Sequence, residues 1–186
     1  MHAVSLGYLE PSKSQEEKSA AEWRTEPLPE AFHPIRIYMR EGTWHNRHLT
    51  RGPRIGDILV STELRALWEE FAPEDVHFDP VEFTLLDGEV VKDRYWMPKI
   101  LLSLDALIPE RSAVVESKSV LTGKPMGLFS YLRHVAPTLR RDKVEGHHVW
   151  TLSRMLDGCM FVSDKVKAQM DARDLGPFDA SAAPLE

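Results

Sequence analysis

The sequence has one cysteine in 186 residues and no hydrophobic run long enough to cross a membrane. The single thiol, Cys159, leaves no partner for an internal disulfide, and the first ten residues lack the basic start and apolar run of a secretory signal. The richest apolar stretch, residues 100–104, contains a serine, whereas a membrane span needs roughly 18 apolar residues. These absences predict a cytoplasmic protein that does not cross a membrane.

Catalytic and metal-binding signatures are also missing. The chain has no His-Glu-x-x-His, Gly-x-Ser-x-Gly, Gly-x-Gly-x-x-Gly or paired-cysteine pattern, and His45 and His48 have no third ligand nearby in a loop-like segment. We therefore predict no cofactor and no catalytic or metal site. Two alternatives stay open: an enzyme with a pocket that uses His77, Glu82 or His147, and a structural or regulatory subunit.

Negative charge is concentrated in one third of the chain. The formal net charge is -6, yet residues 57–89 carry ten carboxylates against one basic residue, Arg65, which gives -9 and leaves +3 for the rest. Such a segment repels a nucleic-acid backbone and attracts a basic protein partner. A solvated face that keeps the chain soluble is the alternative interpretation.

The length and composition predict one domain with a polar extension. Residues 1–30 are rich in serine, glutamate and proline, which is typical of a flexible N-terminal arm. Ordered structure should begin near Phe32, because apolar and polar residues alternate from Ile35 to Arg40 as in a half-buried strand. We expect a single domain over residues 31–180.

A strand, a capping serine and a helix follow one another twice. Residues 58–60 are apolar, Ser61 can cap a helix, and apolar residues at helical spacing continue to Phe71 before Pro73 ends the pattern. The same order recurs at 160–173, with Ser163 as the cap. Two similar units near 58–71 and 160–173 suggest two equivalent helices on a shared sheet, and thus an α+β fold with a mainly antiparallel sheet and a few packed helices.

Other segments give weaker predictions. Residues 76–85 and 89–96 should form a hairpin about the Asp87-Gly88 turn. Residues 113–121 and 147–152 suggest strands, residues 100–108 a strand end that leads into a short turn of helix before Pro109, and residues 126–139 a helix broken at Pro137.

From about residue 58 to 178 the chain resembles the immunity-protein family of bacterial polymorphic toxin systems, of the myxobacterial type. The segments that carry the resemblance are Ile58-Leu59-Val60-Ser61 with the Leu64/Leu67 helix, Val76-His77-Phe78-Asp79-Pro80-Val81-Glu82-Phe83, Tyr95-Trp96 leading to Leu104-Asp105-Ala106-Leu107, and Phe161-Val162-Ser163-Asp164 ending in Leu175-Gly176-Pro177-Phe178.

The resemblance implies a non-enzymatic, cytoplasmic antidote that binds a cognate toxin protein and blocks it. It supplies no catalytic residue, no cofactor and no oligomeric state. The acidic segment fits this role if the toxin is basic, as many nucleases are. For the contact face we expect Glu69, Glu70, Glu74 and Asp75.

Overall fold

A computed structural model describes residues 5–8, 33–41, 49–51, 58–132, 135–156, 159–175 and 181–186. This part of the chain has the predicted α+β fold. Its helices are α1 (Thr62–Phe71), α2 (Arg141–Val144) and α3 (Asp164–Ala172), with a 3₁₀ turn at Pro109–Arg111. Its strands are β1 (Ser5–Tyr8), β2 (Ile35–Glu41), β3 (Leu49–Arg51), β4 (Ile58–Ser61), β5 (Val76–Thr84), β6 (Val90–Ile100), β7 (Ser103–Leu104), β8 (Val114–Lys118), β9 (Pro125–Tyr131), β10 (Val149–Leu152) and β11 (Met160–Val162).

The largest sheet has six strands in the order β1-β2-β5-β6-β4-β3. Strands β2 and β5 run parallel, and the other neighbours run antiparallel. The predicted hairpin is confirmed as β5 and β6. Its turn uses Gly88, which has a φ of 87° that other residues rarely adopt, while Asp87 Oδ1 accepts a hydrogen bond from the Glu89 N–H at 3.0 Å.

Both longer helices bury their apolar sides in one core. Leu64, Leu67 and Trp68 of α1 pack with Val166 and Met170 of α3 against one face of the six-stranded sheet. A second core covers the opposite face. It contains only sheet residues among those described: Ile35, Ile37, Leu59, Val81, Phe83, Tyr95 and Met97.

The two strand-cap-helix units are confirmed, and both helices pack on the six-stranded sheet, although the strands of the two units belong to different sheets. Ser61 Oγ accepts a hydrogen bond from the Leu64 N–H at 3.2 Å, and Ser163 Oγ accepts one from the Val166 N–H at 3.3 Å. However, β4 belongs to the six-stranded sheet, whereas β11 belongs to a separate sheet with the order β11-β10-β7. A short motif determines its own cap, but the partner of its strand depends on distant residues.

The predicted broken helix at 126–139 is wrong. Its first part is β9, which pairs with β8 in a two-stranded sheet, and Gly127 has a φ of 69° that a right-handed helix cannot include. The Phe129 N–H also donates to the Arg154 carbonyl at 2.8 Å. Hydrogen bonds from both sides therefore override the local helical pattern. The predicted strands at 113–121 and 147–152 are confirmed as the shorter β8 and β10.

A third core joins the three-stranded sheet to the C-terminal end of the chain. Leu107, Leu139, Trp150 and Leu152 are among its buried residues. The C-terminal residues pack beside this core, because the Leu139 N–H donates to the Pro184 carbonyl at 2.8 Å and the Glu186 N–H donates back to the Leu139 carbonyl at 2.9 Å. This arrangement determines one side of the groove described below.

Several predictions concern residues outside the described part of the chain. They are the arm at 1–30 apart from β1, and the His45 and His48 pair.

Candidate partner-binding surface

The four carboxylates expected to contact a partner lie together at the C-terminal end of α1. Glu69 and Glu70 occupy its last turn, and Glu74 and Asp75 lie in the turn that leads to β5. Glu70 and Glu74 are exposed, while Glu69 and Asp75 are half-buried. The buried positions Leu64, Leu67 and Trp68 define the inner side of the helix, so the alternation of residue types also determines which carboxylates reach solvent.

Two of these carboxylates have arginine partners. Arg65 donates from Nε to Glu69 Oε1 at 2.7 Å, and its guanidinium lies 3.8 Å from the centre of the Trp96 ring. Arg173, which follows α3, donates to Glu70 Oε2 at 2.9 Å. Glu74 has no ion pair within the described residues. The surface therefore has less negative charge than four carboxylates alone would give, and Glu74 is its exposed, unpaired charge.

The position of these carboxylates is electrostatically unfavourable for the helix itself. A helix C-terminus carries partial negative charge, so basic residues stabilise it and acidic ones do not. The last turn of α1 has no basic residue. The helix dipole therefore does not account for this cluster of carboxylates.

An open groove of about 1090 Å³ lies next to this surface. Phe71, the last residue of α1, connects the two: its ring lies 5.5 Å from the His148 ring in an edge-on arrangement and 5.2 Å from Lys165 Nζ. Both His148 and Lys165 line the groove, together with residues of α2, β10, β11, α3 and the C-terminal segment. The four carboxylates and the groove thus lie next to each other where α1 meets α3.

The groove is lined by aromatic, aliphatic and polar side chains. Trp150 stacks on Phe161 with ring centres 5.9 Å apart, and both rings line the groove. His148 Nδ1 lies 2.9 Å from Ser163 Oγ, the cap of α3, so this imidazole is fixed to the helix start. Aromatic and other apolar side chains beside polar ones are typical of protein-binding surfaces.

The residues named for the enzyme alternative do not form one site. His77 and Glu82 both belong to β5, but the alternation of a strand places them on opposite faces of the sheet, and His147 lines the groove. Glu82 accepts hydrogen bonds from Lys92 at 3.1 Å and Arg36 at 3.3 Å. The Lys92 hydrogen bond, aided by the charges of Lys92 and Arg36, lowers the pKa of Glu82 despite partial burial.

A buried charged cluster lies on the sheet face opposite α1. Asp79 is fully buried, with Oδ1 3.0 Å from His33 Nε2 and 3.2 Å from His77 Nε2. Its Oδ2 lies 4.0 Å from Nζ of Lys99, which is also buried. This network links the residues just before β2 to β5 and β6, so one carboxylate of the acidic segment is part of the interior and not of the surface.

Sequence reasoning missed the groove and Arg173. Glu70 and Arg173 are 103 positions apart, and the residues that line the groove come from elements dispersed between 131 and 185, so no local pattern joins them. In the parts of the chain that the structure covers, no helix is both long and apolar enough to cross a membrane. The same parts contain no group of three His, Cys, Asp or Glu residues suited to hold a metal ion.

The sequence model of an immunity protein family, Imm11, matches residues 9–183. The match includes α1, α3, the four carboxylates and every groove-lining residue except Leu185. No curated protein matches the chain.

Proposed function

The chain belongs to the Imm11 immunity protein family, and from this membership we propose that it binds a cognate bacterial toxin protein and neutralises it by contact, without catalysis. The family assignment gives an antitoxin role in general terms. The mode of action, the partner and the contact surface are the proposal. The proposed compartment is the cytoplasm, which agrees with a sequence that has a single cysteine.

We assign the toxin-contacting surface to Glu69, Glu70, Glu74 and Asp75 together with the adjoining groove. The observation that carries this assignment is an acidic helix C-terminus that lacks a basic residue in its last turn. Because the helix dipole disfavours carboxylates there, their presence needs a reason outside the helix. A toxin with a basic surface supplies that reason.

The arrangement favours rapid encounter with such a toxin. Exposed carboxylates attract a basic protein over distances of about a Debye length, which raises the association rate and makes it depend on salt. The two arginines limit the repulsion among the carboxylates in the free protein, and a basic partner can replace Arg65 and Arg173 at Glu69 and Glu70. The groove beside Phe71 then offers shape for a tighter contact.

The decisive experiment is co-expression with the toxin that a neighbouring gene encodes. We expect the wild-type chain to restore growth of cells that express this toxin and to form a complex that survives purification. Charge reversal of all four carboxylates to lysine should weaken the complex, slow its association, increase its off-rate and reduce the rescue. The matched control reverses four exposed carboxylates away from α1 and the groove, Glu89, Asp93, Asp105 and Glu110, and so changes the net charge equally.

The outcomes separate the role from the surface. If the wild-type chain neither binds the toxin nor rescues growth, the proposed function is wrong. If the wild-type chain rescues and both charge-reversal variants bind with unchanged affinity, the function stands and the assigned surface is wrong.

A further inference from the structure

The hairpin formed by β8 and β9 ends in two fully exposed aliphatic side chains. Val120 and Leu121 have relative exposures of 101% and 96%, the highest among the exposed large apolar residues that are described. All of residues 120–127 are exposed, and Met126 adds a third apolar side chain. Single exposed apolar residues are common on protein surfaces, but adjacent ones at a projecting tip indicate a binding site.

The backbone of this tip is held by its own hydrogen bonds. The Ser119 N–H donates to the Lys124 carbonyl at 2.9 Å, and the Gly123 N–H donates back to the Ser119 carbonyl at 2.8 Å. At the base of the tip, the Gly127 N–H donates to Glu116 Oε1 at 2.9 Å. A turn fixed in this way loses little conformational freedom on binding, so apolar burial at the tip is converted into affinity efficiently.

The charge of the tip is opposite to that of the whole chain. Residues 117–127 include Lys118 and Lys124 and no carboxylate, although the chain carries a net charge of -6. Both lysines are exposed and flank the two aliphatic residues. The chemistry of the tip is therefore an apolar point between two positive charges.

We propose that this hairpin tip inserts into an apolar pocket of the cognate toxin whose rim carries carboxylates. The inference rests on the proposed function and gives the complex a second contact region. Val120 and Leu121 supply apolar burial, which lengthens the lifetime of the complex, and the two lysines pair with the carboxylates at the rim. The acidic surface at α1 accounts for the approach of the two proteins, and the hairpin for their retention.

A protein pocket fits the tip better than a lipid surface does. Membrane binding grows with the apolar area that is inserted, and two aliphatic residues with one methionine provide little. The net negative charge of the chain also opposes attraction to anionic lipid. Two adjacent side chains on a rigid turn match the size of an anchor in a protein–protein contact.

The test compares the dissociation constants of purified full-length variants for the purified toxin. Val120→Ser with Leu121→Ser should raise the dissociation constant by at least about tenfold, mainly through faster dissociation. The matched control, Leu86→Ser, removes an exposed aliphatic side chain from the turn of the other hairpin and should leave the affinity unchanged. Lys118→Glu with Lys124→Glu should also weaken binding, and more so at low salt.

Each result bears on the proposal. Should the serine pair fail to fold, which circular dichroism and urea unfolding would show, the lysine pair decides. If the toxin binds the wild type and both tip variants with equal affinity, the hairpin inference is overturned and the proposed function stands. No toxin binding by the wild type would overturn both. A lipid-binding role would also overturn the inference. It would be shown if the wild type sediments with phosphatidylcholine–phosphatidylglycerol vesicles, the variant without Val120 and Leu121 does not, and the affinity for the toxin is unchanged.

Discussion

The carboxylate of Glu70 accepts a hydrogen bond at 2.9 Å from Arg173, which joins the end of α1 to the residue that follows α3. Both side chains are about half exposed, so solvent weakens the attraction between them. The pair therefore aligns the α1–α3 junction more than it stabilises the protein. Because the pair contributes little to stability, a substitution at Glu70 can change partner binding without changing folding.

A double-mutant cycle with Glu70→Gln and Arg173→Gln should give a coupling of less than about 1 kcal/mol in the free energy of unfolding. Urea denaturation measures it. The exposed pair of Lys167 and Asp171, within α3, is the matched control and should give a similarly small value. A coupling above about 2 kcal/mol would show that Glu70 has a structural role, and binding data on its variants would lose their meaning.

Replacement of Arg65 should destabilise the protein moderately. Its guanidinium lies over the Trp96 ring and 5.6 Å from the centre of the Phe78 ring while it binds Glu69. We expect Arg65→Gln to lower the free energy of unfolding by about 1 kcal/mol. Arg65→Lys keeps the charge but not the planar contact, so its free energy of unfolding in urea should lie between those of the wild type and Arg65→Gln. Full retention of stability in Arg65→Gln would contradict a cation–π contribution.

The two capping serines provide a matched pair. Ser61→Ala and Ser163→Ala should each cost about 1 kcal/mol, because each leaves a helix N–H without its acceptor. Ser163→Ala also removes the contact with His148, so it should change the imidazole resonances of that residue in NMR spectra. Ser103→Ala, on an exposed position of β7, should stay within about 0.5 kcal/mol of the wild type. Equal stability of all three variants would refute the capping role.

Replacement of the buried carboxylate of Asp79 should destabilise the protein strongly. Asp79→Asn removes the carboxylate next to the buried Lys99, and we expect it to lower the free energy of unfolding by about 3 kcal/mol. The double variant with Lys99→Met should recover part of that loss, because the buried ammonium is removed together with the carboxylate. Asp105→Asn breaks an exposed pair with Arg154 and serves as the mild control. If the double variant proves less stable than Asp79→Asn, the two charges do not compensate each other.

Stability should depend on Glu82 in the acidic range. Since folding lowers the pKa of Glu82, the unfolded chain takes up its proton more readily. The stabilisation by Lys92 and Arg36 is therefore complete above the unfolded pKa and is lost as the pH falls through the folded pKa. The difference in unfolding free energy between wild type and Glu82→Gln should shrink on acidification, as urea titrations at a series of pH values would show. Glu89→Gln, in the exposed turn, is the control, and a constant difference for Glu82→Gln would contradict the ion pairs.

Local patterns predicted much of the fold, because caps, turns and helical spacing act between residues close in sequence. Ser61 and Ser163 begin helices as expected, and Gly88 forms the expected turn. Strand partners were less predictable. Residues 125–131 form a strand because β8 and the Arg154 carbonyl supply hydrogen bonds, and no local pattern reports those distant groups.

The sequence by itself determined that negative charge is concentrated between residues 57 and 89 and that no familiar catalytic motif is present. Only the tertiary structure decided how much of that charge faces a partner. Asp79 is buried, Glu82 is paired with residues of β2 and β6, and Glu70 is paired with Arg173, whereas Glu74 stays exposed. The physical reason is that charges act through space: their neighbours are determined by packing of the whole chain, while composition records only their number.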